Sequence, residues 1–314
     1  MKILIALLIP FFILLSSCRV ERDESLSILT YNLYLMFDDV EDGDEYHPFT
    51  KSGGYTKEDY HRRIERYRDF FLSDEGSADI YVLCEVESEK VLKDLISGKM
   101  YKNGYKYYGI LEDTDPISVG FISRIPIENV LIHSNDGPRP ILELRFFFRG
   151  NEVRLFAIHA KSRLDGGDVE RWSTFEHLSH LMMRSHPSLV IAAGDFNEDP
   201  RYGESFSDVT AALSSPLHVT GDPALLESDV FYAAILDPAF SSLETYYYDD
   251  LWYAYDHILL GKAAFDALSL EHSYTAVVYP PGAVDEAFRP LRYDVETGEG
   301  YSDHLAVKTV LRYY

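Results

Sequence analysis

Cysteine is almost missing from this 314-residue chain: there are two, Cys18 and Cys84, and tryptophan is as rare. Two cysteines build no disulfide framework, so the fold must rest on its core. Cys84 sits in the apolar run IYVLC and reads as a small buried hydrophobe. Positive charge is also scarce, with 29 Lys and Arg against 52 Asp and Glu and a formal net charge of −23. Such a chain repels polyanions on average, which excludes tight non-specific coating of DNA or anionic lipid. It does not exclude an enzyme that handles a phosphorylated substrate with local cations and a metal. The sequence has no GxSxG elbow, no P-loop and no GxGxxG loop. No cluster of cysteines and histidines suggests zinc.

Long hydrophobic runs are limited to the start. MKILIALLIPFFILLSSC has one lysine and then an apolar stretch over 3–15. That is shorter than the roughly 20 residues a membrane span needs, and it reads as the apolar region of a signal peptide. Its end, Leu15-Ser16-Ser17-Cys18, resembles the lipobox of bacterial lipoproteins. The resemblance implies a signal peptide over 1–18, lipidation of Cys18, and a polar tether over 19–26. It implies a lipid-anchored protein of the bacterial cell envelope, outside the cytoplasm. Several acyl chains anchor stably, at about 0.8 kcal/mol per buried methylene. A plain signal peptide with an incidental Cys18 is the alternative.

No repeat, low-complexity tract or linker divides the remainder, so one domain is expected over 27–314. Strands are predicted at 27–33, 79–84, 104–110, 117–123, 140–148, 152–159, 188–193, 256–260, 275–279 and 305–311. Thr56 to Asp59 reads as a capping box. It opens a helix whose Tyr60, Ile64, Tyr67 and Phe71 share one face. Further helices are predicted at 88–96 and about 168–185. The pattern predicts an α+β fold with two sheets face to face and helices outside.

Several predicted strands end or begin on a polar group: Asn32, Glu85, His159, Asp195 with Asn197, Asp256, and Asp303 with His304. Each has a bland explanation as a turn, cap or buried polar residue. Together they match a chemistry. Glu85, with Asn32 beside it, suits a hard cation such as Mg²⁺, which takes carboxylates, water and phosphate oxygens. Asp195 suits proton abstraction from water, with Asn197 orienting. His304 suits stabilising charge on phosphate, with Asp256 fixing its tautomer.

The ordered set TYN, CEVE, VGFISRIPI, HAKS, GDFN, DHILL and SDH resembles the endonuclease/exonuclease/phosphatase superfamily over about 27–311. That resemblance implies a four-layered αββα sandwich with two mainly antiparallel sheets. It implies Asn32, Glu85 and Asp303 at the metal, which would be Mg²⁺ with Mn²⁺ or Ca²⁺ as substitutes. It implies His159, Asp195, Asn197, Asp256 and His304 as catalytic residues. Arg139 in GPRPILEL resembles a phosphate-touching arginine of the deoxyribonucleases, and Lys161 and Arg163 are further candidate cations. Two departures stand out. Glu87 occupies a position where deoxyribonucleases carry a DNA-reaching arginine. Ser118, with Asp115 nearby, stands where an acid partner of His159 is expected.

The expected function is divalent-metal-dependent hydrolysis of a phosphoester, nuclease-like first. A sphingomyelinase-like phospholipid phosphodiesterase or a phosphatase is the alternative, and the aromatic stretch 245–255 suits either a base-stacking or a lipid-facing surface. A catalytically inactive lipoprotein that binds a surface partner is the rival of another class. The expected partners are the phosphoester, including nucleic acid, and a membrane through the anchor; no protein partner is inferred.

Overall fold

The computed structural model describes residues 25–111, 115–134, 139–163, 166–210, 214–240, 242–266 and 270–313. The expected signal peptide, Cys18 and residues 19–24 of the expected tether lie outside the described residues. Ser25 and Leu26 already pair with Arg312 and Leu311, so the end of that tether is sheet. No described helix is long and apolar enough to cross a membrane.

Two large sheets carry the fold. The first contains β1 (Ser25–Met36), β2 (Ile80–Val86), β3 (Tyr107–Ile110), β4 (Ser118–Ser123), β15 (Leu270–Val278) and β16 (Ala306–Tyr313). Their order is β15-β16-β1-β2-β4-β3. The second contains β5 (Asn129–His133), β6 (Ile141–Phe148), β7 (Asn151–His159), β8 (Leu189–Asp195), β9 (Phe206–Asp208), β10 (Leu217–Thr220), β11 (Val230–Tyr232) and β14 (Asp256–Leu260). Their order is β5-β6-β7-β8-β14-β11-β10-β9. A separate hairpin joins β12 (Tyr246–Tyr248) to β13 (Leu251–Tyr253).

Most neighbours are antiparallel, as expected, but β1–β2, β7–β8, β9–β10 and β10–β11 run parallel. Parallel neighbours need a crossover. Helix α1 (Lys57–Phe71) provides it between β1 and β2. The other helices are α2 (Glu89–Ile96), the short α3 (Lys99–Lys102) and α4 (Asp168–Met183), which crosses from β7 to β8.

Side-chain alternation builds three apolar layers. Ile28 and Val82 of the first sheet meet Leu155, Ile191 and Ile258 of the second between the sheets. Tyr60, Ile64 and Tyr67 of α1 and Leu92 of α2 cover the outer face of the first sheet. Phe175, Leu178 and Met182 of α4 cover the outer face of the second. The result is the expected four-layered αββα arrangement. The capping box also forms: Thr56 Oγ1 accepts from Asp59 N at 3.1 Å, and Thr56 N donates to the Asp59 carboxylate at 3.0 Å.

One polar cluster braces the edge of the second sheet. Buried Glu143 accepts from Arg145 Nε and Arg154 Nε at 2.6 Å each, and its other oxygen lies 2.6 Å from His133 Nε2. Burial raises its pKa, but His133, Arg145 and Arg154 together win and hold the carboxyl well below the usual range. A depressed carboxyl stabilises above its unfolded pKa, and the contribution is lost as pH falls through the folded value. Glu143→Gln should therefore cost about 3 kcal/mol at pH 7. The penalty should shrink below the ordinary carboxyl pKa of about 4.3. Urea unfolding at neutral and acid pH reads both.

Candidate active site

The cleft is the polar rim of the inter-sheet core. Leu155 and Ala157 on β7, Ile191 and Ala193 on β8, and Ile258 and Leu260 on β14 all face inward. Continuing the period of two brings His159, Asp195 and Asp256 onto that same face. Register sets them side by side: Asp195 pairs with His159 on β7 and with Asp256 on β14. On the first sheet, inward Ile28 leads by the same step to Asn32.

Glu85 breaks the alternation. Its neighbour Cys84 faces inward, so a regular strand would send Glu85 outward. Glu85 instead adopts φ 59°, in the left-handed region, where the register between β1 and β2 shifts. Tyr34 and Leu35 are also left-handed, at φ 51° and 47°. Such residues cost of order 1–3 kcal/mol each and persist only where neighbours hold them. Here Asn32 Nδ2 donates to Glu85 Oε1 at 3.1 Å, and Leu35 N donates to Glu85 Oε2 at 2.7 Å. Buried Arg63 on α1 holds the segment from below, donating to the carbonyls of Leu33, Tyr34 and Leu35 at 3.1, 2.6 and 2.9 Å. Its guanidinium lies 4.3 Å from the centre of the Tyr293 ring.

Gly194 explains the glycine of GDFN. Its φ is 145°, and a Cβ there would sit 1.9 Å from the Ile158 carbonyl oxygen of β7. Gly194→Ala should push β7 and β8 apart at the site, costing about 1–3 kcal/mol in strain and distorting Asp195. Thermal melting and turnover of the variant check this; an unchanged Tm would contradict the close approach.

The polar groups form one network. Asp195 Oδ2 accepts from Asn32 Nδ2 at 3.0 Å and Asn197 Nδ2 at 3.2 Å, while Oδ1 accepts from Asn197 N at 2.8 Å. His304 Nδ1 lies 2.7 Å from Asp256 Oδ2, which also accepts from Thr245 Oγ1 at 2.7 Å. His304 Nε2 and His159 Nε2 stand 3.9 and 3.8 Å from Asp195 Oδ2. Ser302 Oγ donates to the Asn32 carbonyl at 2.6 Å and accepts from His304 N at 3.0 Å, tying the last loop to β1.

Burial and charge split the titrations. Burial lifts Asp195 to about 7. It lifts Glu85 as well, and the nearby Asp303 charge adds to this. Burial alone would lower His304, but Asp256 and Asp195 outweigh it and hold the ring charged. His159 goes the other way: burial, then Arg139 and His304, keep it neutral. Its Nδ1 has no hydrogen-bond partner among the described residues. Ser118 donates instead to the Leu111 carbonyl, and Asp115 pairs with Arg139 at 2.9 Å. Among the described residues, no acid pairs with His159 Nδ1.

A cleft of about 490 Å³ opens above this network. Glu85, His159, Asp195, Asn197, Asp303 and His304 line it. Asn32 and Asp256 lie just beneath, each bonded to a lining residue. Arg139 and Lys161 do not line it. Arg139 is engaged by Asp115 and the His159 carbonyl, and Lys161 is solvent-exposed. Arg163 faces the cleft instead. Glu87 lies away from it and accepts from Asp38 N; burial raises its carboxyl to about 8. Thr245, Ser302 and Arg63 were not foreseen as supports.

The donor set fits a hard divalent cation. Glu85 and Asp303 bring two carboxylates into one cleft, and the Asp303 charge raises the cost of ionising Glu85, which a cation relieves. Ligand atoms of Asp195, Asp256 and His304 also lie within 4.8 Å of one another. There, however, the shared Asp256 oxygen is already committed to His304 and Thr245.

The fold has many solved relatives. Humanized D. rerio TDP2 carrying 14 mutations superposes with a TM-score of 0.59 at 15% identity, over 92% of this chain and 100% of that one. The endonuclease/exonuclease/phosphatase from Bacteroides vulgatus gives 0.59 at 13% identity, over 92% and 99%. The human Nocturnin catalytic domain with bound sulfate gives 0.56 at 14%, over 94% and 97%. At these identities the likeness speaks for the fold. No curated protein sequence matches. The profile of the Endonuclease/Exonuclease/phosphatase family matches residues 27–311, nearly the whole described chain. The chain belongs to the Endonuclease/Exonuclease/phosphatase family, whose members are generally phosphoester hydrolases.

Proposed function

We propose that this protein is a divalent-metal-dependent phosphodiesterase that cleaves nucleic-acid-type phosphodiesters. The observation that supports it most is the meeting of strand ends from both sheets, at Asn32, Glu85, His159, Asp195, Asp256 and His304, on one cleft.

Glu85 and Asp303 would hold Mg²⁺, or Mn²⁺ or Ca²⁺ in its place, with Asn32 steadying Glu85. Such an ion supplies Lewis-acid neutralisation of a phosphoryl oxygen. Asp195, held by Asn32 and Asn197, takes the proton of the water that attacks phosphorus in line, while the opposite P–O ester bond breaks and the departing alkoxide takes a proton from solvent. A carboxyl at about 7 is matched to that task near neutral pH. Charged His304, aligned by Asp256, presents Nε2–H to the phosphoryl oxygen as negative charge develops. Neutral His159 donates a ring N–H hydrogen bond to a second phosphoryl oxygen, and Asn197 orients the group.

The test is a substrate panel with Mg²⁺ and with chelator: single- and double-stranded DNA, RNA, sphingomyelin, an inositol polyphosphate and bis-p-nitrophenyl phosphate. Best turnover on a nucleic acid supports the reading. Best turnover on sphingomyelin or a phosphomonoester moves the protein to another branch.

The lipobox-like stretch supports a further proposal, that Cys18 is lipidated and anchors the protein outside the cytoplasm. Radiolabelled palmitate incorporation that disappears in Cys18→Ser supports this; membrane release without labelling refutes it.

A further inference from the structure

One wall of the cleft is left without work by this chemistry. The sequence TYYYDDLWYAY folds into the hairpin of β12 and β13, with Tyr246 paired to Tyr253 and Tyr248 to Leu251. Alternation puts Tyr246, Tyr248, Tyr253 and Tyr255 on one face and Tyr247 with Trp252 on the other. All four tyrosines of the first face line the cleft. Their rings stand nearly parallel, stacked on one another. Tyr246 lies at 14° to Tyr248 and 21° to Tyr255, and Tyr253 lies at 26° to Tyr255. The wall starts on the catalytic side, where the Tyr246 ring centre is 4.7 Å from that of His304. It ends at Tyr248, which is 58% exposed.

We propose that this tyrosine face is a stacking subsite for unpaired nucleobases flanking the scissile phosphate, so that single-stranded nucleic acid is the preferred substrate. The inference rests on the phosphodiesterase reading above.

Three features favour bases over other occupants. Among the described residues the cleft is lined by one arginine, Arg163, and the charged His304, against the carboxylates of Glu85, Asp195, Asp199 and Asp303. Attraction to the phosphate backbone is therefore weak, and binding must come from uncharged contacts. Flat aromatic faces supply them, because any base can stack on them. A duplex hides its base faces, which favours unpaired strands. A lipid bilayer is the poorer fit, because the tip of the hairpin is Asp249-Asp250, held in a tight turn at φ 50° and 60°. Two carboxylates at the most protruding point oppose insertion into a bilayer or an anionic headgroup layer.

The test uses the full chain with chelator and a fluorescein-labelled single-stranded DNA octamer, read by anisotropy. Tyr248→Ala should weaken binding about tenfold, and Tyr248→Phe should restore it. Trp252→Leu, on the opposite face, should bind like the wild type. An abasic octamer with the same phosphates should bind weakly and equally to wild type and Tyr248→Ala. Equal affinity for the abasic and normal strands, or no loss in Tyr248→Ala, overturns the subsite. So does Tyr248-dependent binding to sphingomyelin vesicles in preference to DNA. Cleavage of the octamer with Mg²⁺ is scored separately. Cleavage with no role for Tyr248 sinks the subsite alone, and base-dependent binding without cleavage of any diester sinks the hydrolytic reading alone.

Discussion

Replacing Asp195 by alanine should lower kcat by about 10²- to 10⁴-fold, the usual worth of a positioned general base. The residue is buried, central to the network, and held at about 7 by burial. A base must be deprotonated to act. Wild-type turnover should therefore fall as pH drops below about 7, and that acidic limb should vanish from the residual activity of the variant. The loss should fall on kcat more than on KM, because the water is activated only on the way to the transition state. A pH–rate profile of both proteins on the best substrate checks this. An Asp195→Ala enzyme with normal turnover would remove Asp195 from the chemistry.

Arg63 carries the second large effect, at a distance from the reacting atoms. It donates to three consecutive carbonyls of the β1 extension, two of them on left-handed residues. That extension delivers Leu35 N to Glu85. Arg63→Leu strands three carbonyls and should cost about 4 kcal/mol, since each bond involves a charged donor. Arg63→Lys keeps the charge but not the fork, and should fold with a smaller loss. In that variant Mn²⁺ affinity should fall about tenfold or more, the typical effect of disturbing groups that orient metal ligands. Titration calorimetry with Mn²⁺ reads the affinity directly, and urea unfolding reads the stability. Lost stability with unchanged Mn²⁺ affinity would make Arg63 a purely structural residue.

The site was legible in the sequence where regular strands carry it. Each of Asn32, His159, Asp195 and Asp256 continues the alternation of its own strand, so a period of two was enough to aim them. Glu85 was legible as a residue but not as a geometry, because only its positive φ turns it into the cleft. Thr245 gave no signal, since a lone hydroxyl has no spacing to read, and Ser302 was legible only as the first letter of SDH. Arg63 looked like any cation on an amphipathic helix; its burial follows from the carbonyls it finds, which are remote in sequence. Arg139 and Lys161 stand off the cleft lining for the opposite reason. A cation near a phosphate motif is visible in sequence, whereas the Asp115 that engages Arg139 is not.

The fold divides in the same way. Some longer strands and the amphipathic helices were expected near their observed bounds, β7 and α2 among them. The stretch from β9 to β13 was not, because each of those strands is only three or four residues long, too short to show a period. Strand β5 escaped too: as an edge strand it leaves Val130 and Ile132 about half exposed and shows no polar-out pattern.

The most direct measurement is cleavage of a single-stranded DNA octamer by the full chain with Mg²⁺, then with excess chelator, then with Mg²⁺ restored, beside His304→Ala. The account predicts cleavage that stops with chelator, returns with metal, and falls at least about a hundredfold in the variant. Cleavage indifferent to chelator, or equally fast in His304→Ala, would contradict it.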